Sequence, residues 1–379
     1  MNFTLSEEQV MLQDAVTRFL TDQYSFERRH EFLAGGFSRP IWNAFANSLG
    51  ILGAALPESC GGMGGGPVDT MIIMEAIGRA LVIEPYIETI VVGGGFLKRG
   101  PGGRAVHLLS EIITGQAIIA FAGLEPGARY AQHHVATTAV RDGDGWVLNG
   151  AKSVVEGAPA ATHLIVSART SCETRDRDGL SLFVMDAKTA GIGSHDYRLI
   201  DGRSAADLQF RDVRVPADAL LGGEGDASGL IEQVMDEATA ALCSEAVGVM
   251  RRLLEDTIAY TQQRRQFGQP LSSFQVLQHR MVDMYMALEQ AVSAVYMATL
   301  KLDQAPAERA LAVSAAKVTI GKSARMMGQN AVQLHGGMGM TDELAVGHYF
   351  KRATVIEAQF GSVDHHLARY AALSRDLAA

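Results

Sequence analysis

The segment Gln333-Leu334-His335-Gly336-Gly337-Met338-Gly339-Met340 ends a long helical stretch with two adjacent glycines. From about residue 226 onward, apolar residues recur at helical spacing and few helix breakers interrupt them. The breaks fall at Pro270, at Ala305-Pro306 and at Gly336-Gly337, which predicts a bundle of roughly four helices. Because glycine lets backbone amides approach a ligand closely, the glycine pair is also a candidate site for an anion such as a pyrophosphate. A plain glycine stop of the helix is the alternative.

Two other patterns precede this bundle. Residues 4 to about 115 read as helices broken by glycine, with a loop at 61–66 and an apolar helix from Val68 to about Leu81. Between about 116 and 222, short β-prone runs alternate with turn dipeptides such as Asp142-Gly143. These runs are 118–122, 136–140, 146–148, 164–166 and 180–184. We therefore expect an α+β chain with an N-terminal helical domain (1–115), a middle antiparallel β-barrel or sandwich (116–225) and a C-terminal four-helix bundle (226–379).

The composition limits the class of protein. The chain has 379 residues and a net charge of -9, which argues against a surface for nucleic acids or anionic membranes. No run reaches the roughly 18 apolar residues of a membrane span, and the first residues run directly into the acidic pair Glu7-Glu8, so no signal peptide is expected. Cys60, Cys172 and Cys243 are scattered and lack the spacing of metal ligands, so no metal site is expected. A reduced, cytoplasmic location fits these features best.

The order of the three parts and several short strings together resemble the acyl-CoA dehydrogenase family over essentially the whole chain. The strings are Leu124-Glu125-Pro126-Gly127, Asp144-Gly145-Trp146-Val147-Leu148-Asn149-Gly150-Ala151-Lys152, Val213-Arg214-Val215-Pro216, Arg264-Arg265-Gln266-Phe267-Gly268 with Phe274-Gln275, Gln333 to Gly339, and Lys351-Arg352. Each string alone is weak, but their order and spacing are specific. The resemblance implies an FAD cofactor, an acyl-CoA substrate, an electron-transferring flavoprotein as electron acceptor, and a dimer or dimer of dimers. It also implies flavin sites that are shared across a subunit interface.

The resemblance assigns cofactor contacts to two parts of the chain. Those in the C-terminal part, which would serve a neighbouring subunit, are Arg264, Phe267, Gln275, Gln333, His335, Gly336 and Gly337. Those in the middle part, which would serve the chain itself, are Leu124, Val154 and Glu156. An arginine presents a fork of donors suited to phosphate oxygens, and Phe267 could pack against an adenine. A surface arginine with a core phenylalanine is the alternative, and a lone His335 is more often a structural hydrogen-bonding residue.

Substitutions in the middle part weaken the chain's own flavin pocket. Val154 stands where the family has a tryptophan that stacks on the flavin edge, and Glu156 where a threonine bonds the ring. A carboxylate beside a flavin that becomes anionic on reduction is electrostatically unfavourable. In the earlier string, Arg129-Tyr130 replaces a small Gly–Ser pair, and these bulky side chains are expected to crowd the acyl path.

Both positions at which the family carries its catalytic base lack a carboxylate here. Desaturation removes a weakly acidic proton from the acyl Cα, which requires a base within about 3 Å. Phe360 occupies the commoner position, and Ala238, on the first bundle helix, occupies the second. Glu237 points about 100° away around that helix, whereas Glu245 shares the face of Ala238 but lies ~10 Å farther along the axis. Glu245 is a candidate base only for a deeply seated substrate, and a buried polar contact is its alternative.

Three functions are compatible with this pattern. The first is an auxiliary subunit of a heteromeric, FAD-dependent acyl-CoA dehydrogenase whose homologous partner subunit supplies the base. It would resemble the small subunits of α2β2 enzymes of the pimeloyl-CoA type and of bacterial steroid side-chain catabolism. The second is a self-sufficient homo-oligomeric enzyme with an unusual base such as Glu245. The third is a family member that binds acyl-CoA or flavin without catalysis.

Overall fold

The computed structural model describes residues 4–100 and 102–378. Its α-helices are α1 (Glu7–Gln23), α2 (Phe26–Gly35), α3 (Arg39–Asn47), α4 (Pro67–Ala80), α5 (Gly94–Leu97), α6 (Gly103–Ile113), α7 (Ser228–Gln263), α8 (Gln275–Leu300), α9 (Pro306–His335), α10 (Ala345–Ala358) and α11 (Val363–Ala378). Its strands are β1 (Ile119–Ala122), β2 (Thr138–Asp142), β3 (Gly145–Glu156), β4 (His163–Arg169), β5 (Leu180–Asp186), β6 (Ile192–Arg198), β7 (Ser204–Pro216), β8 (Leu220–Leu221), β9 (Arg265–Gln266) and β10 (Gln269–Pro270). The expected order of helices, strands and helices is confirmed.

The chain forms two compact units. The helical unit contains the residues up to 31, Pro67–Val82 and the residues from 239 onward. The β-rich unit contains Phe32–Gly66 and Ile83–Ala238, so α7 begins in this unit and ends in the other. The division into three domains at residues 115 and 225 stays a prediction.

Two glycines allow α4 and α7 to pack closely inside the helical unit. A Cβ added to Gly78 would lie 1.9 Å from the Glu245 carbonyl oxygen. A Cβ added to Gly248 would lie 1.9 Å from the carbonyl oxygen of Glu75. Any larger residue at either position would force the two helices apart, because a Cβ cannot come this close to backbone oxygen. This crossing fixes the stretch of α7 that carries Glu245.

The bundle contains five helices within the described residues, α7 to α11, where four were predicted. The breaks expected at Pro270, Ala305-Pro306 and Gly336-Gly337 all lie between helices or at a helix end. The additional break separates α10 from α11 at Phe360, with φ +58°, and Gly361, with φ +121°. Phenylalanine rarely adopts a positive φ, so its presence in the sequence gave no sign of a break.

The middle part of the chain is a mixed sheet with the strand order β6-β7-β3-β2-β4-β5-β8, where we expected an antiparallel barrel or sandwich. β1 pairs with β4 in parallel, and β2 meets β4 in parallel at one residue pair. Hairpin turns predict antiparallel neighbours, whereas parallel pairing depends on long connections that local turn signals do not reveal. β6 was missed because its residues are largely exposed and polar. The sheet buries an apolar cluster in which the rings of Trp146 and Phe183 lie edge to face at 5.2 Å.

The helices of the described segments, 4–100 and 102–378, include none with an apolar stretch long enough to cross a membrane.

Candidate functional site

Backbone strain marks several of the positions that the sequence singled out. Seven described residues other than glycine have a positive φ, and they are Leu81, Arg129, Val154, Cys172, Asp212, Phe267 and Phe360. Four of them, Arg129, Val154, Phe267 and Phe360, are positions that the sequence analysis connected with the acyl path, the flavin or the catalytic base. Such conformations cost of order 1–3 kcal/mol each and cluster at functional sites. Arg129, Val154 and Phe360 depart from the residues that the resemblance implies, whereas Phe267 matches its string.

The hairpin formed by β9 and β10 in the helical unit carries the aromatic ring expected to meet a nucleotide, and the arginine expected to do so, Arg264, directly precedes β9. Its two-residue turn is Phe267-Gly268, with φ +53° and +80°, the left-handed pair that a type I′ turn requires. The turn leaves the Phe267 side chain 90% exposed. No hydrogen bond or ion pair joins the guanidinium of Arg264 to any residue in the described part of the chain. Gln275, the first residue of α8, is also exposed.

The turn after α9 presents backbone rather than side chains. Gly336 has φ +62° and ψ -142°, a conformation reserved for glycine. A Cβ added to Gly336 or Gly337 would meet no atom within 4 Å, so the space beside this turn is open, while the Gly336 N–H donates to the Gln333 carbonyl oxygen. Gln333 is exposed beside it. These groups, with Arg264 and Phe267, suit the adenine and diphosphate of a dinucleotide.

His335 is a structural residue of this turn. Its ring is buried, its Nδ1 lies 2.8 Å from the Ala331 carbonyl oxygen, and it stacks on Tyr260 at 4.3 Å. Burial lowers the pKa of His335 below its usual value, which favours the neutral ring. The sequence-based preference for a hydrogen-bonding role over catalysis agrees with these contacts.

The flavin platform, defined as the segment around Val154 and Glu156 where the resemblance implies ring contacts, forms hydrogen bonds within the β-rich unit. The Val154 N–H donates to Oδ1 of Asp207 at 3.0 Å, and the Tyr197 hydroxyl donates to the same oxygen at 2.9 Å. Burial and this hydrogen bond raise the pKa of Tyr197 to about 12, so the hydroxyl keeps its proton. The Leu124 carbonyl accepts from the Ser153 N–H at 2.9 Å.

Charge also opposes an isoalloxazine ring on this platform. Glu156 pairs with Ala205 across β3 and β7, and Asp207 lies two residues farther along β7. Two carboxylates therefore flank the place of Val154, whose 43% exposed side chain offers no ring for stacking. The groups for the nucleotide half of FAD fit in this chain, and those for its ring do not.

The turn at Phe360, the commoner position of the catalytic base, is held by hydrogen bonds although it has no carboxylate. Lys317 of α9 donates to the carbonyl oxygens of Ile356 at 2.8 Å, Glu357 at 3.0 Å and Gly361 at 2.8 Å. Nε2 of His366 lies 3.1 Å from the Phe360 carbonyl oxygen. Burial lowers the pKa of His366 to about 3, so this imidazole stays neutral. The half-buried Phe360 side chain is thus placed by the surrounding side chains and cannot accept a proton.

Replacing Lys317 with methionine should lower the free energy of unfolding by about 2–4 kcal/mol, because buried carbonyl groups lose their donor. Urea unfolding monitored by circular dichroism measures this loss. Lys322→Met is the matched control, since Lys322 lies on the same helix and is exposed. Equal stability of the two variants would show that Lys317 does not hold the turn.

The structure argues against both substitute bases on α7. Glu237 is paired with Arg99 through contacts of 2.5 and 3.1 Å. Glu245 is fully buried, and both its oxygens accept from Arg352, at 2.7 and 2.8 Å. Proton uptake by Glu245 would leave the buried guanidinium without its counter-charge. The contacts match the alternative, a buried polar contact, so we do not assign the base to Glu245.

Ala238 is fully buried and brings no titratable group to the second base position.

Sequence reasoning missed Asp207, Tyr197 and Lys317, which shape the flavin platform and the turn at Phe360. The alternation of apolar residues at Ala206, Leu208 and Phe210 was a signal that would have placed Asp207 on the opposite face of a strand.

Three family models match consecutive stretches of the chain. They describe the N-terminal domain (residues 6–100), the middle domain (120–213) and the C-terminal domain (228–372) of acyl-CoA dehydrogenases. The human mitochondrial short-chain specific acyl-CoA dehydrogenase is 31% identical over 321 residues, covering 83% of this chain and 77% of that protein. CarC of Acetobacterium woodii, a subunit of the caffeyl-CoA reductase-Etf complex, is 29% identical over 94% of this chain and 95% of its own. A solved variant of the steroid ACAD Tcur3481-Tcur3483 shares the fold with a TM-score of 0.87, at 29% identity and 99% coverage of both chains.

Proposed function

The chain belongs to the acyl-CoA dehydrogenase family, and from that premise we propose that it is one subunit of a heteromeric, FAD-dependent acyl-CoA dehydrogenase. Members of the family are oxidoreductases that bind FAD. In the proposed assembly a homologous subunit supplies the ring pocket and the catalytic base. This chain supplies nucleotide contacts to that subunit's site.

The proposal rests on a contrast between the residues available to a neighbouring subunit and the chain's own flavin platform. Arg264 and Phe267, which would reach a neighbour's cofactor, are exposed, and the Arg264 guanidinium is not engaged by any residue in the described ranges. On the chain's own platform, Asp207 accepts from the Val154 N–H and the Tyr197 hydroxyl, so both donors are already engaged. In a homodimer of such chains, the residues that could bind a neighbour's nucleotide would meet a platform that does not suit the flavin ring. In a heteromer, the same residues would complete a partner site that does suit it.

The reaction sets the tasks that are divided between the subunits. α,β-Desaturation moves a proton from the acyl Cα to a carboxylate base while a hydride leaves Cβ. FAD, when bound, supplies the hydride acceptor. The guanidinium of Arg264 would bind phosphate oxygens, the open backbone turn at Gly336 and Gly337 would allow the diphosphate to approach closely, and Phe267 would cover the adenine. Phe360 and Ala238 cannot take the proton, so the base belongs to the partner.

Two of the relatives support this assignment. CarC is a subunit of a complex with Etf, which favours an electron-transferring flavoprotein as the electron acceptor here. The steroid ACAD bears two component names, Tcur3481-Tcur3483, which favours a two-component assembly and makes steroid-derived acyl-CoA thioesters one substrate class to test.

The visible spectrum of the chain purified alone tests the proposal. We expect substoichiometric flavin and no reduction of an artificial electron acceptor by acyl-CoA thioesters. Co-expression with homologues encoded beside its gene should yield a yellow complex whose active site contains a glutamate or aspartate base from the partner. A yellow, active protein from this chain alone would instead establish the self-sufficient homo-oligomer. A chain that binds acyl-CoA alone, without turnover in any complex, would establish the non-catalytic alternative.

A further inference from the structure

A cavity of about 120 Å³ lies in the β-rich unit, where four segments of the chain meet. These segments are residues 35–37, 83–88, 157–160 and 203–204. One part of the wall is apolar and the other part carries a carboxylate, a guanidinium and a hydroxyl, from Phe37, Ile83 and Pro159 and from Glu88, Arg203 and Ser204 respectively. An apolar wall with a few convergent polar groups is typical of a small-molecule site.

The segment that carries Glu88 has an uncommon conformation. Ile87–Gly93 is a π-helix, a wide helical turn that occurs rarely and often at functional sites. Thr89 fixes it to β1, because its Oγ1 accepts from the Ile119 N–H at 3.2 Å and donates to the Ile119 carbonyl oxygen at 3.3 Å. A Cβ added to Gly93 would lie 2.7 Å from Cβ of Ile119, so the two segments pack without space between them. This packing holds Glu88 at the cavity wall.

The Glu88 carboxylate has an oxygen that a ligand can use. The residue is 7% exposed and interacts with other parts of the chain. Its Oε2 atom is buried, however, and accepts no hydrogen bond from residues 4–100 and 102–378. A buried oxygen of this kind costs free energy until a donor reaches it. A Cβ added to Gly157 would lie 3.4 Å from Cγ of Glu88, so glycine at this position leaves room beside the side chain.

The buried charges of this region favour a cationic donor. Arg203 supplies one buried guanidinium. Glu84, Glu88 and Asp201 are three buried acids, of which Glu84 precedes Glu88 by four residues and Asp201 precedes Arg203 by two. Their excess of negative charge is costly in a buried region, and a bound cation offsets this cost. An ammonium group also brings three hydrogen-bond donors, whereas an anionic ligand would add to the excess.

We propose that this cavity binds a small primary amine. The ammonium group donates to Oε2 of Glu88, and the alkyl chain packs on the apolar wall formed by Phe37 and Ile83. The volume of the cavity restricts the ligand to a short alkyl chain. The site lies outside the proposed function, because neither Glu88 nor an amine takes part in the desaturation of an acyl-CoA thioester.

A ligand-observed NMR titration of the full chain tests this site with three compounds. Propylamine, 1-propanol and propionate have the same number of carbon atoms and differ in their polar group. We expect propylamine to bind with a Kd in the millimolar range, since so small a ligand has few atoms to contribute, and the other two to bind at least about tenfold more weakly. Glu88→Gln should weaken propylamine binding by about tenfold or more, because the hydrogen bond to a charged group is lost.

Two further variants separate binding from folding and from net charge. Glu58→Gln makes the same change of charge at an exposed position of the same unit and should leave propylamine binding unchanged. Ala160→Leu adds bulk at the cavity wall and should weaken binding while Glu88 is kept. Circular dichroism establishes that each variant is folded, and Ala160→Leu decides the test if Glu88→Gln does not fold.

Three results would overturn the assignment: no binding of propylamine by the parent protein, equal affinity in the parent protein and the cavity variants, or tighter binding of propionate. The first would leave the cavity to water, and the last would make Arg203 the binding group. Because the titration measures neither flavin content nor turnover, its outcome is separate from the test of the heteromeric function.

Discussion

Replacing Arg352 with methionine should lower the free energy of unfolding by about 3–5 kcal/mol, because a buried carboxylate is then left without its counter-charge. Glu245 is fully buried, and Arg352 is only 2% exposed. Both carboxylate oxygens accept from the guanidinium, which also donates to Oε1 of Gln359 at 3.2 Å. Urea unfolding of the parent and variant proteins measures the loss.

A double-mutant cycle separates the ion pair from the surrounding packing. Arg352→Met combined with Glu245→Leu removes both charges and should restore most of the stability, since apolar groups of similar volume often replace a buried pair at little cost. Glu245→Gln alone should be destabilising, because it leaves the guanidinium unneutralised. A loss below about 1 kcal/mol for Arg352→Met would mean that the pair is hydrated and that Glu245 is again a candidate base.

Replacing Arg264 with alanine should weaken FAD binding by the purified heteromeric complex about 10- to 100-fold. The expected loss is that of charge-assisted hydrogen bonds to phosphate, about 1.5–3 kcal/mol. The effect should appear in the partner's site, because this chain's platform does not suit a flavin ring. Equilibrium dialysis of the flavin-depleted complex against FAD gives the affinity.

Arg265→Ala is the matched control for this variant. Arg265 is the next residue of the same hairpin and carries the same charge, and its contact is with the Gly268 carbonyl oxygen at 3.5 Å. Its replacement should leave FAD affinity within about twofold, in keeping with the small effects of exposed charges. Unchanged affinity in Arg264→Ala would show that this arginine does not reach the cofactor and would remove the main support for donation between subunits.

Much of the fold was predictable because its signals are local. The predicted breaks at Pro270, at Ala305-Pro306 and at Gly336-Gly337 lie between α7, α8 and α9 or at the end of α9, and the apolar run after the glycine loop predicted α4 to within one residue at each end. The strands that were predicted are those with apolar runs and clear turns. β6 and the parallel pairs were missed because a polar edge strand and a long connection leave no such signal.

The candidate site was predictable in composition but not in contacts. The short sequence strings identified Arg264, Phe267 and Gly336 as candidate cofactor contacts. They also located the altered positions of the flavin platform, because residue types at motif positions can be compared directly. They did not show that Phe267 is almost fully exposed, or that Arg129 stands on strained backbone. Exposure and φ are properties of the folded chain, since they depend on how neighbouring segments meet.

The sequence by itself determined the family, the succession of helices and strands, and the absence of a carboxylate at Phe360 and Ala238. Only the tertiary structure decided whether the remaining candidate residues are free to act. Glu245 meets Arg352 across 107 positions of the chain, and Asp207 meets Val154 across 53. Such long-range contacts form only when helices and strands pack. Glu245 therefore looked available as a base in the sequence but is engaged in the folded protein, and no sequence signal indicated that Asp207 meets the backbone of Val154.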